Sequence, residues 1–418
     1  MIKQSAANAR REERPVRDFF VGGANDASSV LMEHYRHLHA HPELSYHEEE
    51  TARYVAQVLG RLNLDEIKTG VGGHGVTALL AGQSGGPVIG LRADMDALSI
   101  TETTGCPFAS QNPGVMHACG HDGHTAILLT VAQILAAHRD KLPGTVKFLF
   151  QPSEECTPLG GSQLMIRDGA LENPHVDAIL GLHLWPTLPC GSIGLQAGAV
   201  SAASDHLNIT VLGKSCHASM PDGGIDAIVA ASNVVMALQT VVSRNVPPAQ
   251  AAVVTIGTMS GGTRYNILAD RVEMEGTVRS FDEGVHDHLP GWIVRTAENA
   301  AKALGATAQV KYERGYPPTV NDRRLVELLE PVASDVTGGK LLTGLPVPPT
   351  GEDFAFFAKA RPSAFAWLGC RPDGVSPEDM PPLHNSSFLP ASDSLKLGVL
   401  YTCHAALALM SAPKEVFA

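Results

Sequence analysis

Residues 145–182 read TVKFLFQPSEECTPLGGSQLMIRDGALENPHVDAILGL. Thr145–Phe150 and Val176–Leu182 are short apolar runs that suit strands buried on both faces. Gly161–Asp168, between them, reads as a helix. Strand, helix and strand at this spacing argue for a parallel sheet covered by helices. Upstream the same grammar continues. A helix is expected at Thr125–His138, strands at Val76–Leu80 and Pro87–Ala93, and amphipathic helices at Ser28–His39 and Glu48–Leu62. In the last of these, Tyr54, Val55, Val58, Leu59 and Leu62 share one face.

From about Ala202 the order of elements changes. Strands are expected at Asp205–Leu212, Ala251–Thr258, Asp270–Ser280 and Thr307–Glu313, with helices at Gly224–Val242 and Phe281–Leu304. That βαββαβ order is the split pattern of a ferredoxin-like unit. Pro317-Pro318 marks its exit. Signals of the first type resume at Asp322–Val336 and Ala364–Leu368, before a terminal helix from about Ser392. The expected fold is therefore α/β: a mostly parallel sheet domain in two pieces, 29–201 and 316–418, with a ferredoxin-like domain inserted at 202–315. Residues 1–28 are charged and read as a poorly ordered leader.

At 418 residues the chain exceeds one ordinary core. A net charge of −12 argues against a nucleic-acid surface or a polybasic membrane patch. The apolar run 126–137 is too short and interrupted for a membrane span. No secretory h-region is visible near the start. The 7 cysteines form no CxxC and are odd in number, which fits free thiols in a reducing cytoplasm.

The chemistry concentrates in Met116-His117-Ala118-Cys119-Gly120-His121-Asp122-Gly123-His124. One thiol and three imidazoles within nine residues are a transition-metal donor set, with small residues letting the backbone bend. Glu154 and Glu155 follow one buried strand and His183 the next, at the carboxyl ends where active groups of α/β sheets collect. Neighbouring residues on an extended chain point opposite ways, so one glutamate can bind metal while the other faces a water. Asp94 and Asp96 suit orienting a ligand imidazole through its free N–H. Other patterns fail. Gly70–Gly75 matches GxGxxG and Gly82–Gly86 matches GxSxG, but both run into strands and read as turns. His47-Glu48-Glu49-Glu50-Thr51 lacks the second histidine of HExxH.

Taken in order, Cys119–His124, Glu154-Glu155, His183 in Gly-Leu-His and His384 in Leu-His-Asn resemble the metallo-aminoacylase/carboxypeptidase clan. More narrowly, the chain is similar to its branch of hippurate hydrolases, N-acyl-amino-acid amidohydrolases and auxin-conjugate hydrolases. His39–Leu44, Arg92–Leu98, Asn266 and Gly276–Arg279 extend the resemblance over about residues 29–410. It implies two divalent ions (zinc, manganese, cobalt or nickel) in a cleft between the sheet domain and a lid, bridged by Cys119. His121 and His183 would complete one site, and Glu155 and His384 the other. Glu154 would be general base and Asp96 would support a ligand. His217, Asn266 and Arg279 of the lid would hold the substrate's carboxylate and the developing oxyanion. The implied reaction is hydrolysis of small N-acyl-amino acids by a homodimer or higher homo-oligomer formed through the lid. A metallo-dipeptidase shares this centre, and a silent metal-binding scaffold would have no need of Glu154. Departures at Ser215-Cys216-His217, Tyr265 and Ser386–Pro390 bear on acyl and amino-acid preference.

Overall fold

A computed structural model describes residues 27–83 and 85–417. The leader expected at 1–28 lies, apart from its last two residues, outside the described residues. The strands of the two larger sheets are β1 Glu66–Val71, β2 Gly75–Ala81, β3 Val88–Asp94, β4 Thr145–Gln151, β5 Ala178–Pro189, β6 Ile193–Gly194, β7 Ser204–Leu212, β8 Ala252–Gly261, β9 Arg271–Ser280, β10 Thr307–Tyr316, β11 Leu341–Leu342 and β12 Ser363–Arg371. The helices that matter here are α1 Ser28–Ala40, α2 Glu49–Leu59, α3 His121–Ala137, α4 Gly160–Arg167, α5 Ala227–Asn245, α6 Glu283–Lys302, α7 Arg323–Val336 and α8 Ser392–Met410.

The chain divides into two compact units. Of the described residues, the first comprises those from 27 to 198, Val320–Pro346 and those from 356 to 417. Its sheet has the order β1-β2-β4-β3-β5-β12-β6-β11. The centre, β4-β3-β5-β12, is parallel, whereas β1, β2 and β6 pair antiparallel with their inner neighbours. Phe148, Phe150, Leu91, Leu180 and Leu182 from these strands join Ile127, Leu128 and Leu129 of α3 in one core. Helix α3 is buried around nearly its whole circumference, as is α8. Neither carries the narrow apolar stripe of a surface helix.

Elements of this unit depart from the sequence reading, each for a physical reason. Strand β1 has no apolar run to reveal it, because it is a largely solvent-facing edge. Helix α3 starts at His121 instead of Thr125, so the histidine-rich loop is half loop and half first turn. Gly120 makes that entry at φ 86°, where a Cβ would also meet Leu184 Cδ1 at 2.9 Å. Strand β5 continues past Leu182 because β12 keeps pairing with it as far as Arg371↔Pro189. On its other side, pairing with β3 stops at Arg92↔Gly181. The two strands separate there. Chain order about β3 reverses at this point, the position at which α/β sheets place ligands beyond the carboxyl ends of their strands.

The second unit comprises Ala199–Thr319 and Val347–Ala355. Strand order β10-β7-β9-β8, all antiparallel, with α5 and α6 in the crossovers, is the ferredoxin-like arrangement. Asp226 and Asp282 cap the two helices by accepting backbone N–H groups, each cap worth about 1 kcal/mol. Among the described residues, α5 alone is long and apolar enough to cross a membrane by length and composition. Its Ala227, Ala230, Ala231, Val234, Leu238 and Val241 form a buried stripe within this unit's core. The sequence reading assigns 202–315 to this unit and leaves 347–355 outside it. The structure adds that segment through backbone oxygens: Thr350 accepts from Ala202 N (3.0 Å) and Pro349 from Arg279 Nε (3.2 Å).

Candidate metal centre

Strand ends and one helix start bring the donors of the first unit together. Cys119 and His121 flank Gly120 at the entry to α3, and both are buried. After β4, Ser153 adopts the left-handed φ of 57°, a costly conformation for a residue with a Cβ. It is held there by Glu48, whose Oε1 accepts from Ser153 N (2.7 Å) and Oγ (3.1 Å). Burial, with the nearby Asp96 charge, pushes the Glu48 carboxyl up to about 7. The turn delivers Glu154 and Glu155. His183 sits within β5 instead of at its end. His384, also at positive φ (62°), is tied to the ligand loop by its N–H to the Ala118 carbonyl at 2.8 Å.

Cys119 Sγ lies 3.5 Å from His183 Nε2, and His384 Nε2 lies 3.1 Å from Glu155 Oε1. His121 Nε2 is 4.0 Å from the same oxygen. Among the groups whose donor atoms all lie within 4.8 Å of one another are Cys119/His121/His183, Cys119/Glu155/His384 and His121/Glu154/Glu155, with Asp94/His121/His124 and His39/Glu102/Cys106 beside them. The structure thus brings Cys119, His121, Glu154, Glu155, His183 and His384 into one cluster, with Cys119 common to two triads.

Two observations test whether these residues fit divalent cations. His121 Nε2 is buried without a hydrogen-bond partner among the described residues, a costly state for a polar atom unless something else satisfies it. The ring nitrogens are also sorted. His121 Nδ1–H donates to the Asp96 carbonyl oxygen (2.9 Å) and lies 3.2 Å from Asp96 Oδ1, while His183 Nδ1–H donates to the Leu184 oxygen (2.7 Å). Each Nε2 lone pair therefore faces the cluster, the arrangement of metal-binding histidines. Burial, then the charges of Glu155 and Glu154, push the Cys119 thiol well above its usual range. A thiolate here needs positive charge beside it. The mixed sulfur, nitrogen and oxygen donors fit zinc, manganese, cobalt or nickel.

Asp96 ties the parts together. It accepts from Ser45 Oγ (2.6 Å) and Glu155 N (2.9 Å) as well as facing His121. Next to it is a second buried network, whose residues the sequence reading names without joining them. Arg92 Nη1 donates to Asp94 Oδ2 (2.7 Å), and His124 Nδ1 to Asp94 Oδ1 (2.6 Å).

A third network, also unread, lies under the start of α3. His39 donates from both ring nitrogens, to Asp122 Oδ2 (2.6 Å) and Glu102 Oε1 (3.1 Å). Burial lowers the affinity of this ring for its second proton, but Asp122 and Glu102 outweigh it and bring the value up to about 9. His39→Leu should destabilise the ion-free protein by about 3–5 kcal/mol near pH 6, because two carboxylates lose their buried partner. The contribution of a raised histidine is complete below its ordinary value of 6.5 and is lost as pH rises through about 9. Urea unfolding of both proteins at pH 6 and pH 9.5 should show the gap narrowing. A gap that widens would remove the imidazolium from this role.

The remaining expected residues belong to the second unit. His217 is exposed and bridges to Ile267, and Ala218 N donates to the Asn266 oxygen at 3.1 Å, so His217 and Asn266 are neighbours. Ser219 N (3.2 Å) and Oγ (2.7 Å) approach His217 Nδ1, so the ring proton sits on Nε2. Asn266 Oδ1 is buried without a hydrogen-bond partner among the described residues. Arg279, half-buried on β9, donates to the Pro349, Thr277 and Val278 oxygens.

Residues 90–408 match peptidase family M20/M25/M40. An N-acyl-L-amino acid amidohydrolase of Geobacillus stearothermophilus is 45% identical over 290 residues, 68% of this chain and 76% of its own. The N-acetyl-L-cysteine deacetylase of Bacillus subtilis is 42% identical over 335 residues, 80% of this chain and 79% of its own. Among solved structures, the Bacillus subtilis YxeP protein, a dinuclear metal binding peptidase from the M20 family, superposes with a TM-score of 0.81 at 34% identity. That match covers 93% of this chain and 99% of the other.

Proposed function

The chain belongs to peptidase family M20/M25/M40, and from that premise we propose that it is a two-metal amidohydrolase cleaving the amide bond of N-acyl-L-amino acids. The observation that carries this reading is Cys119 shared by two donor triads, with Glu154 beside them. Cys119, His121 and His183 would hold one ion, and Cys119, Glu155 and His384 the other. Such a pair, when bound, polarises the scissile carbonyl and makes water more acidic. Glu154 takes the proton of the attacking water and returns it to the leaving nitrogen. Asp96 holds the His121 ring and the Glu155 backbone in register. His217, with its proton on Nε2, donates to the developing oxyanion, an interaction worth about 2.7–4 kcal/mol for one good donor. Asn266 lies beside it as a second polar contact. Arg279 receives the substrate's carboxylate, for which its planar fork is suited.

In this reading the first unit carries the ion centre and the second is a lid that binds substrate. Free cysteines support a reducing, cytoplasmic setting. Exposed Val229, Met236, Val253 and Met259 on the second unit support self-association through it.

The test is a hydrolysis panel of N-acyl-amino acids and dipeptides, run on protein loaded with zinc, manganese, cobalt or nickel and on chelated protein. Turnover of N-acyl-amino acids that vanishes on chelation is the expected result. Turnover confined to dipeptides would make the chain a dipeptidase, and none at all would sink the hydrolase reading. Arg279→Ala should raise KM about 10-fold or more for free acids while leaving their amides nearly unchanged, as expected for a lost charged hydrogen bond. Equal effects on acids and amides would take the carboxylate away from Arg279.

A further inference from the structure

The pairing of β3 with β5 ends at Arg92↔Gly181, two residues before the strand reaches His183. Among the described residues no strand pairs with that edge of β5 beyond this point, yet this is the stretch that must present a donor nitrogen to better than an ångström. His124, 2% exposed, fills the gap. Its Nδ1–H donates to Asp94 Oδ1 at the end of β3 (2.6 Å), leaving Nε2 to accept the N–H of Leu184 (2.9 Å). The next peptide unit is also used, since the carbonyl oxygen of Leu184 accepts from His183 Nδ1 (2.7 Å). His124 and His183 further pack ring to ring, 4.6 Å between centroids and nearly perpendicular. Asp94 is itself anchored by Arg92, whose Nε donates to Gln151 Oε1 (2.8 Å) on β4.

We propose that His124 is a positioning residue that stitches β5 to β3 through the Leu184 backbone, whose N–H it holds and whose carbonyl orients the His183 ring, and thereby aims His183 Nε2 at the Cys119/His121 triad. The inference rests on the two-ion reading given above. Each link has one direction: β4 fixes Arg92, Arg92 fixes Asp94, Asp94 sets the His124 proton, His124 holds the Leu184 N–H, and the Leu184 oxygen orients His183. Without the fourth link, the Leu184 backbone that orients His183 loses its tie to β3. The cost falls on the grip on the ion more than on the fold.

The experiment uses the full chain, stripped with a chelator and titrated with zinc by calorimetry, for wild type, His124→Asn and His124→Gln. An asparagine amide reaches about as far as Nδ1 and can keep the Asp94 contact while losing Leu184. A glutamine amide reaches about as far as Nε2 and can keep the Leu184 contact. His124→Asn should weaken zinc binding by about 10–100-fold, the usual cost of losing a group that orients a ligand, and His124→Gln should recover most of it. The cobalt-loaded proteins should show a shifted thiolate–cobalt absorption in the asparagine variant alone. Melting temperatures of the stripped proteins separate this from a role in folding only, which would lower both variants and leave their zinc affinity intact. Wild-type zinc affinity in His124→Asn, or equal losses in both variants, would overturn the proposal. If wild type binds no zinc, the two-ion reading and this inference fall together. If it binds two ions but cleaves no N-acyl-amino acid, the substrate reading falls and this inference stands.

Discussion

Glu154→Gln is expected to lower kcat by about 10²–10⁴ while the protein keeps both ions and a KM close to that of wild type. Glutamine matches glutamate in shape but cannot accept the water's proton. Glu154 is 6% exposed and shares a 4.8 Å group with His121 and Glu155, so it faces the cluster without belonging to either triad that contains Cys119. Pairing kcat with a metal count is what makes the measurement decisive. Loss of one ion in the variant would make Glu154 a ligand and pass the base's role to Glu155. Normal turnover with both ions present would leave neither glutamate in that role as assigned.

Cys119→Ala should release both ions together and bring activity to the level of the chelated protein. The thiol sulfur is common to the Cys119/His121/His183 and Cys119/Glu155/His384 triads, so one substitution removes a donor from each. The Lewis-acid contribution of such ions is several kcal/mol, which at about 1.36 kcal/mol per decade corresponds to roughly 10³-fold or more. Cys119→Asp is the informative companion, because a carboxylate can also bridge two cations. It should retain ions where alanine does not. Stepwise loss, with one ion held tightly by the alanine variant, would mean that Cys119 serves a single site.

The parts of the centre readable from sequence are those whose chemistry is local. Cys119 and His121 stand two residues apart, and Glu154-Glu155 follow a run of apolar residues that can only be a buried strand. What was illegible depends on partners remote in the chain. Nothing in the letters around His124 says that its Nε2 meets the N–H of Leu184, 60 residues on. Nor does His39 announce that it sits between Asp122 and Glu102, 83 and 63 residues away. In the fold, the central strands were legible because burial on both faces demands continuous apolar residues. Edge strand β1 faces water over most of its length, so nothing forces its composition. The segment 347–355 joins the second unit through backbone oxygens, which every residue type offers equally.

The placement of the inserted unit has a consequence for the order in which the molecule can be made. The strands and helices of the ferredoxin-like sheet all lie between residues 204 and 316, so a nascent chain can assemble that sheet as soon as it leaves the ribosome. The first unit has no such freedom. It lacks β12 and the core helix α8 until translation has gone past residue 410. The Cys119/His121/His183 donors are synthesised well before that point, but Cys119 and Glu155 wait more than two hundred residues for His384. Any ion captured early by the emerging polypeptide has one triad available to it, and the second can form only when synthesis is nearly finished.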